Sequence, residues 1–323
     1  MKTTMKPYLR VLAFFAGLLM LFVLTSYIFI PKNNSEEAGM DEARANGFLG
    51  EPDDTLDVLI VGDSLTYCSF SPMLMWQDYG FTSYVAGTSA QPVYESVLFI
   101  EKALRTQKPS AVILETNTIF RETTTRNYIA SKVKDLLPLF HYHDRWKGMT
   151  LQDFGGGIDY TWTDDLKGFR YKTGIDAGTN LDYMAYSEEK APIPKSSMLS
   201  LQDILKLCEE YDVPLMLVSA PCMKYWTYPK HNTMQAFADE HGLVYLDLNL
   251  LTDEFGLDWS VDTLDKGDHL NYQGASKLSA YFGKYLQEKL GLPDHREDLR
   301  YAPWNDALVR YQDLVSKPAQ ENG

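Results

Sequence analysis

Apolar and polar positions divide the chain into parts of different character. Residues 11–30 are almost wholly apolar and carry no charge, and about 20 such residues span a bilayer as a helix. Residues 31–54 are polar, rich in Asn, Glu, Asp and Gly, and read as a flexible linker. From Thr55 onward, short apolar runs alternate with stretches of helical periodicity. Residues 58–61, 82–86, 111–114, 215–219 and 244–247 read as strands. Their unbroken apolar character is expected where a strand is buried on both faces of a parallel sheet. Residues 91–105 place Val93, Val97, Ile100 and Leu104 on one helical face. A helix also begins near 71–76, and 127–137, 200–211, 232–241 and 274–290 read as further helices. Strands alternating with helices predict an α/β fold with a parallel sheet.

Residues 122–198 are less regular, with loop signals at Gly155-Gly156-Gly157 and Pro192-Ile193-Pro194. They read as an insertion over the carboxyl edge of the sheet, a lid or substrate wall. The organisation expected is therefore 1–10 before the membrane, 11–30 a transmembrane signal-anchor, 31–54 a linker, 55–292 the folded domain, and 293–323 a tail. In that tail Trp304, Val309, Tyr311 and Leu314 suggest a helix that packs back on the body.

Lys2, Lys6 and Arg10 precede the apolar stretch, whereas Lys32 and then Glu36 and Glu37 follow it. The positive-inside rule keeps the N-terminus in the cytoplasm and puts the domain outside the cell membrane. The apolar run is longer than a usual signal core and shows no small-x-small cleavage site, which favours an uncleaved anchor over a signal peptide.

The formal net charge of −14 argues against nucleic acid as a partner, because phosphate binding needs a basic surface. It also gives no general attraction to an anionic polymer. Cys68, Cys208 and Cys222 have no metal-ligand spacing and read as buried small apolar residues, with a Cys208–Cys222 disulfide unsupported. His141 and His143 have no third histidine or cysteine beside them, so no metal site is expected.

The strand at 58–61 runs into Gly62-Asp63-Ser64, where glycine permits a sharp turn and Asp63 and Ser64 suit a helix entry. Open α/β sheets bind ligands at the carboxyl ends of their strands. Far along the chain, Gly267-Asp268-His269-Leu270-Asn271 supplies a histidine with acidic neighbours. A serine hydroxyl needs a base to take its proton, and the base needs an orienting group. Ser64, His269 and a carboxylate from Asp265 or Asp268 have the right chemistry for nucleophile, base and orienter. Donors for an oxyanion are available from the Ser64 N–H, the Gly87 N–H and the Asn117 side-chain amide, all at strand ends.

These blocks, Gly62-Asp63-Ser64, Gly87, Glu115-Thr116-Asn117 and Asp265 through Asn271, together resemble the SGNH/GDSL hydrolase superfamily over about residues 55–290. The resemblance implies a flavodoxin-like three-layer α/β/α sandwich, a Ser64 nucleophile, a His269 base, and oxyanion donors from Ser64, Gly87 and Asn117. It implies no cofactor. The third block departs from Gly-x-Asn-Asp, with Glu115 and Thr118 at its ends. In the last block Lys266 stands where the aspartate is usual, three residues before His269. Adjacent side chains generally diverge, and a loop can bring the more distant Asp265 round.

The anchor, the Tyr142-His143-Asp144-Arg145-Trp146 segment and the run at 269–275 are similar to the anchored, extracytoplasmic branch. That branch is exemplified by D-alanyl-lipoteichoic acid biosynthesis and alginate-type O-acetylation proteins. The implied activity is acyl ester hydrolysis or O-acyl transfer on a cell-envelope polysaccharide or teichoic-acid-like polymer, through an acyl-serine. A multi-spanning membrane acyltransferase is the implied partner. His143, Arg145 and Asp63 would contact substrate, unless Arg145 is a loop buttress paired to an acid with Trp146 in the core. The alternative function is a non-catalytic anchored partner of the acyltransferase that binds the polymer.

Overall fold

The computed structural model describes residues 6–317; Lys2 and the last residues of the tail lie outside them. Helix α1, Pro7–Phe29, is long and apolar enough to cross a membrane. Strand β1 (Val58–Gly62) leads to α2 (Ser64–Ser69) and α3 (Pro72–Tyr79). Then come β2 (Ser83–Gly87), α4 (Val93–Leu104) and β3 (Ala111–Glu115). The insertion carries α5 (Thr125–Leu136), α6 (Leu139–Tyr142) and α7 (Leu151–Gly155). Next are α8 (Lys195–Glu210), β4 (Leu215–Ser219), α9 (Tyr228–His241) and β5 (Val244–Asp247). A short hairpin of β6 (Thr263–Leu264) and β7 (His269–Leu270) precedes α10 (Tyr272–Leu290) and α11 (Ala302–Ser316).

The five long strands form one parallel sheet in the order β2-β1-β3-β4-β5. This is the flavodoxin-like order. Because crossovers are right-handed, the reversal of direction at β1 puts the helices before β2 on one face and the crossover helices between β2 and β5 on the other, and the C-terminal helices return to the first face. Accordingly α3 packs with α10 and α11, while α4 packs with α8. Every residue of β1 to β4 is buried, which is why their sequences show apolar runs rather than alternation. The switch point lies between β1 and β3, the strands that end at Ser64 and Asn117.

Residues 31–54 are not a flexible linker. Asn34 and Phe48 are fully buried. The Asn34 amide bonds the Trp162 backbone on both sides, at 2.6 Å and 3.0 Å. Glu51 accepts from Lys167 Nζ at 2.7 Å and from Trp304 Nε1 at 3.0 Å. The polar side chains that suggested solvation are spent on buried partners more than a hundred positions away, so the folded body begins well before Thr55. The tail also joins it: α11 buries Trp304, Ala307 and Tyr311. The three cysteines are free and buried, and burial pushes the Cys68, Cys208 and Cys222 thiols up to about 12.

Candidate active site

Ser64 opens α2. Asp63 caps that helix, its Oδ1 accepting the Leu65 N–H at 3.0 Å. Gly62 was expected to supply the turn, but its role is space: a Cβ there would lie 2.3 Å from Thr66 Oγ1 and 2.6 Å from Glu115 Cβ. The close approach of α2 and β3 to the end of β1 therefore requires glycine.

His269 stands on β7, paired with Leu264 of β6. Between them Asp265, Lys266 and Gly267 all have positive φ, at 54°, 60° and 87°. Three successive left-handed residues turn the chain back tightly, and this brings Asp265 beside the ring. His269 Nδ1 lies 3.0 Å from Asp265 Oδ2, and Nε2 lies 2.8 Å from Ser64 Oγ. With Nδ1–H donating to Asp265, Nε2 is left to accept from the serine hydroxyl. Asp268 Oδ2 is farther from Nδ1, at 3.9 Å. Its carboxylate is held by Lys224 Nζ at 3.3 Å and the Cys222 thiol at 3.7 Å.

Asn117 is buried and presents Nδ2 to Asp63 Oδ2 at 3.0 Å. Lys230 Nζ reaches its Oδ1 at 3.4 Å. An acceptor on one side and a donor on the other fix the amide's orientation, and its second N–H remains free for a ligand. The Ser64 N–H is at the first helical position, where no intrahelical acceptor exists.

Ser64, Asn117, Asp63, His269 and Asp268 line a single cleft of about 360 Å³. Gly87 is not on its wall. It ends β2 buried against Gly62 and Asp63, and Ser89 and Ala90 of the following loop face the cleft instead. Ala90 has φ 54°, a strained conformation for a residue with a Cβ. Asp63 does not offer itself to substrate, because its second oxygen is also taken, by Asn117 and by Arg121 Nη2 at 3.2 Å.

His143 and Arg145 are not brought to the cleft. His143 is exposed beside Asp144. Arg145 donates to the Phe29 and Ala38 carbonyls and to Asp153 Oδ1 at 2.8 Å, as a buttress would. Trp146 is 63% exposed and is not a core residue.

Four cleft residues had no signal in the sequence beyond their type: Arg121, Tyr225, Lys230 and Phe120. One of these, Lys230, and the neighbouring Glu115 bear on its electrostatics. Burial, and then the Asp63 charge, hold the fully buried Glu115 carboxyl well above its usual range. Its oxygens accept the Asn117 N–H at 3.1 Å, which ties β3 to the Asn117 turn. Burial lowers Lys230, and the nearby Asp63 carboxylate opposes that shift. A base with its orienter, a hydroxyl within bonding reach and two unspent N–H donors are the parts needed for acyl transfer through serine.

No family model matches the sequence, and no curated protein matches it. Among solved structures the chain is similar in fold to a psychrotrophic esterase from Pseudoalteromonas sp., inhibited there by monoethylphosphonate. Identity is 12%, over 74% of this chain and 100% of that one, with a TM-score of 0.40. It is similar also to a lipase/acylhydrolase from Enterococcus faecalis, at 13% identity over 72% and 97% of the two chains and a TM-score of 0.29. A GDSL-like lipase from Bacteroides thetaiotaomicron overlaps at 11% identity, 72% and 88% coverage and a TM-score of 0.34. The likeness is one of fold; the reading of the site rests on its own geometry.

Proposed function

We propose that this chain is a serine-dependent acyl ester enzyme that works on the outer face of the cell membrane. Its substrates are acyl groups carried on hydroxyls of a cell-envelope polysaccharide or teichoic-acid-like polymer. The observation that carries this reading is the unbroken relay from Asp265 through His269 to Ser64, with hydrogen bonds of 3.0 Å and 2.8 Å.

In the reaction, Ser64 Oγ attacks the acyl carbonyl carbon as its proton passes to His269 Nε2. Asp265 steadies the imidazolium so formed. The Ser64 N–H and the free Asn117 N–H stabilise the oxyanion, and Lys230 and Asp63 hold that amide in place. As the bond to the leaving oxygen breaks, His269 returns the proton to it and acyl-Ser64 remains. Water or a polymer hydroxyl then gives its proton to His269 and takes the acyl group, and as the bond to Ser64 Oγ breaks His269 returns that proton to it, completing hydrolysis or transfer.

A long hydroxylated acceptor suits the surroundings. A larger cavity of about 660 Å³ meets the cleft at Ser89 and is lined by Asp41, Asn46, Glu95, Asn127 and Lys134. Tyr94, Leu98 and Phe99 share its walls, and carboxylate, amide and ammonium groups set beside rings suit a hydroxylated chain. A multi-spanning membrane acyltransferase is a suitable acyl donor for the transferase reaction.

The test uses the full-length protein in detergent with p-nitrophenyl acetate. Wild type should release p-nitrophenol and, treated separately with a p-nitrophenyl alkylphosphonate, take up one phosphonate adduct on Ser64 with loss of p-nitrophenol, seen by mass. Ser64→Ala should lose both. Release by Ser64→Ala equal to wild type would remove the reading. Acyl transfer to added polymer, in preference to water, would assign the transferase.

A further inference from the structure

The last turns of α1 do not stand clear of the body. Phe22 packs on Phe140 with ring centroids 5.8 Å apart. Ser26 Oγ accepts the Leu139 N–H at 3.2 Å, the Tyr27 hydroxyl reaches the Gly156 carbonyl at 3.3 Å, and Arg145 bonds the Phe29 carbonyl at 2.5 Å. Helices α6 and α7 and the 3-10 turn His143–Lys147 between them thus form a half-collar against one side of the end of α1. A helix rises about 1.5 Å per residue, so contact at Phe22 reaches roughly 10 Å down from Phe29. If α1 spans a hydrocarbon core of about 30 Å, the collar overlaps the outer part of the bilayer.

The collar's free surface fits that position. Leu136 at the end of α5 is 76% exposed, Trp146 63%, Leu151 91%, Phe154 62% and Phe140 42%. Water-exposed clusters of large apolar residues of this kind mark interaction surfaces. The charge around them is opposite to that of the whole molecule. Residues 126–147 hold five basic and two acidic side chains, within a chain of net charge −14; Arg145 is paired with Asp153 and Lys132 with Asp203, which leaves Arg126, Lys134 and Lys147. Lys147 Nζ lies 5.8 Å over the Trp146 ring, and tryptophan with lysine is the pairing enriched where lipid meets water.

We propose that the surface of Leu136, Phe140, Trp146, Leu151 and Phe154 is seated in the headgroup and upper acyl region of an anionic lipid leaflet. The inference rests on α1 remaining in the bilayer, and is independent of the chemistry at Ser64. Lipid is the occupant because the patch lies against the very helix that leaves the membrane and carries Lys147, unpaired among the described residues, beside Trp146. Since residues 31–54 are packed on the body, the domain has no tether on which to swing. The collar therefore fixes the orientation of the Ser64 cleft over the membrane surface.

Trp146 is the one exposed tryptophan of the six, which makes it a probe. Full-length protein is reconstituted in vesicles of phosphatidylglycerol and phosphatidylcholine whose acyl chains are brominated near the glycerol. The emission present in wild type and absent from Trp146→Phe should be mostly quenched by the brominated chains and shielded from aqueous iodide. Leu151→Glu with Phe154→Glu should restore iodide quenching of Trp146. Retention of the protein in vesicles after a carbonate wash reports on α1 separately. Protein retained with Trp146 open to iodide overturns the proposal and leaves the anchor standing. Protein washed off overturns both. A photo-crosslinker at 146 that reacts in native membranes with another polypeptide, or with a second copy, rather than with lipid, also overturns it.

Discussion

Asp265→Asn measures how much a solvent-exposed carboxylate contributes to this relay. The Asp265 side chain is 63% exposed, unlike the buried aspartate of the serine-protease template, whose replacement by asparagine costs about 10⁴ in turnover. Two unit charges 4 Å apart attract by about 1 kcal/mol in water, and a hydrogen bond to a charged group contributes about 1.5–3 kcal/mol. The loss expected is thus about 1–3 kcal/mol, which is roughly 5- to 160-fold in kcat/KM. Asparagine is the right replacement because it tolerates the left-handed conformation Asp265 adopts. Asp268→Asn, at 3.9 Å and already engaged by Lys224, should lose less than Asp265→Asn. The assay is p-nitrophenyl acetate hydrolysis by full-length protein at neutral pH. If Asp265→Asn equals wild type while Asp268→Asn falls by more, Asp268 is the orienting group. If Asp265→Asn is as inactive as Ser64→Ala, the argument from exposure is wrong.

Two further outcomes follow from the buried charges. Glu115 has a folded-state pKa raised by burial, so the native protein keeps a proton that the unfolded chain releases. Native stability should then fall relative to Glu115→Gln as pH rises from the ordinary carboxylate range toward the raised value; denaturant unfolding at several pH values checks this, and a constant or rising difference would contradict it. Lys230→Met keeps the apolar stem but releases the Asn117 amide. It should lower kcat about tenfold, less than the 10²–10³ that removing an oxyanion donor outright costs, and an unchanged kcat would mean Lys230 does not position Asn117.

The strands and the two ends of the relay were legible because each is a local pattern. Residues 58–61 and 111–114 are apolar without interruption, and Ser64 and His269 each sit in a short motif beside a strand. What the sequence left open depends on backbone angles and on distant partners. Nothing in Asp265-Lys266-Gly267-Asp268 announces three consecutive positive φ values, and without them the choice between the two aspartates stays undecided. Gly87 ends β2 as expected, but which peptide of the following loop faces the cleft is set by how Gln91 anchors it. Its Oε1 accepts the Thr88 N–H at 2.9 Å and its carbonyl accepts from Thr118. That anchoring turns Ser89 and Ala90 outward.

The polar composition of 31–54 misled for a related reason. Burial of Asn34 or Glu51 is favourable only once Trp162, Lys167 and Trp304 are in place. A window of local sequence contains none of these partners. The same rule explains the one apolar surprise in the other direction. Trp146 was a natural core residue by type, yet the helix it neighbours is itself apolar and needs an apolar collar. An exposed tryptophan there is consistent with a local pattern read against the wrong solvent. On the lipid contact proposed above, the side chains beside α1 are matched to lipid, and a hydropathy reading that assumes water on every free surface assigns them to an interior that does not exist.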